Sequence, residues 1–80
     1  MRMIGYLTKN NRIKEVAIKE VMKVIEVDRT YKYPGIPEFI MYGYRVYPII
    51  EKNSEHGYCI ILKNGNAILT SKIKGGYKND

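Results

Sequence analysis

Asn64-Gly65 separates two apolar runs, 58–63 and 66–73, and no other dipeptide restricts the fold of this chain as tightly. Asn-Gly suits the two-residue type I′ turn, whose twist matches that of paired strands. In that register Leu62 faces Ala67, Ile60 faces Leu69 and Tyr58 faces Ser71, while Ile61–Ile68 and Cys59–Thr70 share the other side. The first face, extended by Ile73, is the expected core face. The second carries too little polarity to meet water and calls for partial cover.

Upstream of the hairpin the pattern changes period. Segment 2–7 is short, apolar and aromatic, and reads as a brief strand or a strap over the core. Thr8-Lys9-Asn10-Asn11 is polar, and either asparagine is a fitting N-cap for a helix. From Arg12 to about Glu26 the spacing predicts that helix. At 100° per residue Arg12, Glu15, Lys19, Lys23 and Glu26 gather on one face, and Ile13, Val16, Ala17, Ile18, Val21, Met22, Val24 and Ile25 fill most of the rest. Its apolar arc is broader than a surface helix needs, which suits a helix held between a sheet and a second layer or a second copy. The run Val24-Ile25-Glu26-Val27 is β-branched, so a strand beginning near Lys23 competes with the last helical turn.

Tyr33-Pro34-Gly35-Ile36 has the composition of a type II turn. Segment 38–52 reads as one long strand, with Gly43 a weak point and Pro48 marking an edge, a bulge or a break. Gly75-Gly76 should end the sheet, leaving 75–80 as a loose tail. The expected architecture is therefore α+β: one N-terminal amphipathic helix packed on a three- to four-stranded antiparallel β-meander, in a single domain over 1–80.

With 80 residues, one small core is all the chain can bury. The longest apolar runs, 39–44 and 58–62, are far short of a membrane span, and 4–7 is too short for a secretory signal. A lone cysteine, Cys59, allows no internal disulfide, so the expectation is a cytoplasmic protein.

The formal charge of +6 suits a partner with an acidic surface or a nucleic acid. The excess is evenly spread, however, with eight basic and five acidic groups in 1–40 and six and three in 41–80. Ile, Lys, Asn and Tyr together make 36 of the 80 residues, and their A/T-rich codons offer a compositional origin for the lysines.

Little in the sequence carries catalysis. His56 and Cys59 are the only residues of their kinds, and their odd offset sends strand side chains to opposite faces. Two such ligands fall short of the four a structural zinc site takes. Glu15, Glu20 and Glu26 stand among lysines as a solvated face, and Glu51 and Glu55 flank a turn. Gly75-Gly76 opens no helix that would hold a phosphate. The expectation is no enzyme, no metal, no cofactor and no evident small-molecule substrate.

The informative residues are tyrosines. Tyr31, Tyr33, Tyr42, Tyr44 and Tyr47 fall within 17 residues, interleaved with Arg29, Lys32 and Arg45. Tyrosine is a good strand former, so part of this cluster is core. Tyr and Arg are also favoured anchors of protein interfaces, and tyrosine rings with basic neighbours make stacking platforms for unpaired bases. Candidate binding residues are Lys32, Tyr42, Tyr44, Arg45, Tyr47, Lys72 and Lys74. The favoured function is a small non-enzymatic protein-interaction module, self-associating as a homodimer or binding another protein, of the kind phages and mobile elements use as accessory or inhibitor proteins. The alternative is a sequence-tolerant nucleic-acid binder using a basic, tyrosine-rich sheet face.

Overall fold

Short runs of β-branched and aromatic residues, broken every few positions by Asn, Gly or a charged pair, favour strands joined by tight turns. The computed structural model describes residues 2–27, 39–53 and 55–75. Among these the strands are β1 (Met3–Leu7), β2 (Ile13–Ala17), β3 (Val21–Glu26), β4 (Phe39–Tyr42), β5 (Arg45–Glu51), β6 (Tyr58–Leu62), β7 (Ala67–Thr70) and β8 (Ile73–Lys74). They form a three-stranded sheet of order β2-β1-β8 and a five-stranded sheet of order β3-β6-β7-β5-β4.

This arrangement corrects the expected α+β class, because the segment read as an N-terminal helix is two strands. Between β2 and β3 lies only a 3₁₀ turn, Ile18–Glu20, which carries the chain from the smaller sheet to the larger. The helical appearance has a physical origin. Val21 pairs with Leu62 but Lys23 with Ile61, so β3 carries a bulge at Met22. The bulge and the 3₁₀ turn each shift the phase of the alternation. Val16, Ile18, Val21 and Val24 consequently reach the same core at spacings of two, three and three, and a helical wheel reads that series as a broad apolar stripe. The β-branched content of Ile13, Val16, Ile18, Val21, Val24 and Ile25 favours the extended form.

The hairpin at Asn64-Gly65 is present in a different register. Ile60 pairs with Ile68, Cys59 with Leu69 and Ile61 with Ala67, one residue away from the expected alignment. The loop has three residues rather than two: the Leu62 N–H donates to the Asn66 carbonyl at 2.9 Å, and the Gly65 N–H to the Leu62 carbonyl at 3.2 Å. Gly65, at φ 91°, takes the left-handed position that closes such a loop. The slip sorts the side chains cleanly. Ile60, Leu62 and Ile68 face one cluster with Ile4, Tyr6, Val21 and Val24, whereas Cys59, Ile61, Ala67 and Leu69 face another with Ile40 and Tyr47. The hairpin is buried on both faces.

The expected long strand over 38–52 is also two strands. Tyr42 pairs with Arg45, so the chain reverses at Gly43-Tyr44, with Gly43 at φ 60°. β5 pairs with β4 as far as Pro48 and with β7 from Ile49 onward, so Pro48 stands where the strand passes from one neighbour to the other. The β5–β7 pairing is parallel, which replaces the expected antiparallel meander. The expected turn at Tyr33-Pro34-Gly35-Ile36, and the tail beyond Gly75, lie outside the described residues.

The smaller sheet packs on one face of the larger. Ile4, Tyr6, Val16 and Ile73 meet Ile60, Leu62 and Ile68. Thr70, fully buried, ties the two sheets: the Leu7 N–H donates to its Oγ1 at 3.0 Å, and its hydroxyl lies 2.8 Å from the Leu7 carbonyl as donor. At the rim Lys14 of β2 pairs with Glu51 of β5 at 2.8 Å. On its other face the larger sheet curls around its own core. Ile25 and Val27 join Ile40, Tyr42, Tyr47 and Ile49 against the central hairpin. The curl brings the two edge strands together, with Lys23 Nζ of β3 5.2 Å from the centre of the Tyr42 ring of β4.

Candidate functional site

The open seam of the curled sheet is where the tyrosine-rich segment ends up. Strand alternation from the Gly43-Tyr44 turn puts Tyr42, Arg45 and Tyr47 on the concave face of the β4–β5 hairpin. The bulge at Met22 brings that side chain, 39% exposed, to the same place from β3. Met22, Tyr42, Tyr44, Arg45 and Tyr47 line a groove of about 410 Å³. Tyr44, at the tip of the hairpin, is fully exposed, whereas Tyr47 is only 3% exposed and its hydroxyl has no hydrogen-bond partner among the described residues. Neither Arg45 nor Lys23 has an acidic partner among the described residues.

Four of the seven candidate binding residues therefore meet in one groove. The remainder do not join them. Lys72 and Lys74 belong to β8 and the segment leading into it, in the sheet that covers the opposite side of the central hairpin, and Lys32 lies outside the described residues. Met22 was not among the candidates. Its signal was the bulge, which depends on pairing with β6 and has no mark in the local sequence.

The convex face of the same hairpin is a second surface. Met41 pairs with Val46 and Phe39 with Pro48 across the strands, and Ile50 follows at a bulge, where the pairing with β7 skips from Ile49 to Glu51. Met41 is 42% exposed, Val46 49% and Ile50 52%.

Elsewhere the side chains are committed to structure. Cys59 is fully buried in the concave core, and desolvation pushes its thiol up to about 12. His56 Nδ1 lies 3.3 Å from the Asn53 carbonyl, and no hydrogen bond joins His56 to Cys59. Asn53 in turn donates through Nδ2 to the Thr8 carbonyl at 3.1 Å, fastening the loop before β6 to the β1–β2 turn. Burial, then the nearby Glu51 carboxylate, raises the Tyr6 phenol, and the hydrogen bond to Glu51 raises the Lys14 ammonium. Among the described residues no group of three or more His, Cys, Asp or Glu is placed to hold a metal ion, and no helix is long and apolar enough to cross a membrane. Comparison with protein families, curated proteins and solved structures finds no match to this chain.

Proposed function

We propose that this protein is a small non-enzymatic interaction module that self-associates through the convex face of its β4–β5 hairpin. One observation carries the reading: Phe39, Met41, Val46 and Pro48 form a cross-strand row without a charged side chain, and Met41, Val46 and the neighbouring Ile50 are 42–52% exposed. Contiguous exposed apolar surface of this kind on a small domain marks an association site. The occupant follows from charge. Two copies at +6 each repel one another, so a shared interface has to be built on a face without basic groups, and this row is such a face. An isologous pair also sets this apolar face against the same face of the second copy. A compact module that works by covering surface suits an accessory or inhibitor protein.

Light scattering over a micromolar range tests the reading, comparing the wild-type chain with Val46→Glu. The expected result is a wild-type dimer that Val46→Glu converts to a folded monomer. A wild-type mass of 9.3 kDa throughout the range contradicts self-association, and a dimer that Val46→Glu leaves intact contradicts this face.

A further inference from the structure

We propose that the seam groove, on the opposite face of the same hairpin, is a binding site for a nucleotide: a heteroaromatic base stacked on the tyrosines with its phosphate on Arg45. The groove is open to solvent along the seam, and its volume of about 410 Å³ has room for a small planar ligand. Its walls are Tyr42, Tyr44 and Tyr47 with the thioether of Met22, flat and polarizable surfaces that take the face of a planar ring. Bases of any identity stack on such surfaces.

Charge narrows the ring's substituent. Arg45 lines the groove and Lys23 Nζ stands 5.2 Å from the Tyr42 ring, and no acidic side chain is among the lining residues. A phosphate matches the Arg45 guanidinium in geometry and charge, which an uncharged aromatic does not. Tyr47 offers the ligand its ring and not its hydroxyl, which is buried away from the groove. The separation of Lys72 and Lys74 from the groove limits the contact to one or two phosphates. The ligand is therefore a free mononucleotide or one unpaired nucleotide of a strand, not a duplex lying across the surface.

The test uses the full chain and three probes, AMP, an eight-nucleotide single-stranded oligothymidylate and a duplex of the same length, each titrated at 50 mM and 200 mM salt. Binding of AMP and the oligonucleotide identifies a mononucleotide site, and binding of the oligonucleotide alone identifies an unpaired nucleotide within a strand. Tyr44→Ala should weaken either roughly 10- to 100-fold. Arg45→Gln should flatten the salt dependence by about one unit of slope. Val46→Glu, on the convex face, should bind as wild type, which separates this proposal from the self-association reading. No binding at millimolar AMP or oligonucleotide, equal binding of the duplex, or unchanged affinity in both Tyr44→Ala and Arg45→Gln overturns it.

Discussion

Ile60 and Ile61 are adjacent, both fully buried, and face opposite cores. In a sheet with one wet face, one of such a pair would be expendable. Here neither is, because the curl of the larger sheet covers one side and the smaller sheet covers the other. Ile60→Ala and Ile61→Ala should each cost about 2–4 kcal/mol, a large share of the stability of a domain this small. Lys63→Ala, at an exposed loop position, should stay within about 0.5 kcal/mol. Urea midpoints check all three, and a neutral Ile61→Ala would mean that the concave core is open. Cys59 gives the same region a pH signature. Its folded thiol titrates near 12 against 9.0 for the free group, so above about pH 9 the unfolded chain loses a proton that the folded chain keeps. Stability must then fall as pH rises from about 9 towards 12, and it should be indifferent to this group at neutral pH. Cys59→Ala should reduce that alkaline slope, as urea titrations between pH 7 and 11 would show.

At the scale of elements, the turns were more legible than the strands they connect. Lys63-Asn64-Gly65 announced a hairpin, and Lys9-Asn10-Asn11 is its near copy, yet the latter read as a helix cap. Both loops are closed the same way: Thr8 N–H donates to the Arg12 carbonyl at 2.8 Å, and Asn11 N–H to the Thr8 carbonyl at 3.0 Å, with Asn11 at φ 60° where Gly65 stands in the other. Asparagine is the residue that best tolerates this conformation after glycine, so the two sequences encode one geometry. What concealed it was the segment that follows, where the bulge at Met22 and the 3₁₀ turn mimic helical spacing. Periodicity reports which side chains are buried, not which backbone buries them. The tyrosine groove was half legible for a related reason. Tyr42, Arg45 and Tyr47 were marked by composition, but their common face depends on the reversal at Gly43-Tyr44, and Met22 depends on a partner strand more than thirty residues away. The loop account makes its own prediction. Gly65→Ala should cost about 1–2 kcal/mol through its left-handed φ, while Asn11→Gly should be close to neutral. Thermal melts of the pair decide it, since equal effects would deny the shared loop geometry.

For the whole molecule, the β4–β5 hairpin divides two surfaces by strand alternation alone. Tyr42, Arg45 and Tyr47 enter the seam on one face, and Met41, Val46 and Pro48 on the other stay outside, with Ile50 at the bulge beyond them. A single hairpin so built offers a cationic aromatic groove and an uncharged apolar face without either competing for the same side chains. The basic groups on the smaller sheet, Lys72 and Lys74, belong to neither surface. Self-association through the convex face is the claim on which the proposed function stands, and amide chemical shifts followed on dilution locate it residue by residue. From millimolar to low micromolar concentration, the shifts should move at Phe39–Tyr42 and Arg45–Glu51 and remain still at Ile73–Lys74. Concentration-dependent shifts centred on β8 and β2, or none anywhere in the chain, would contradict it.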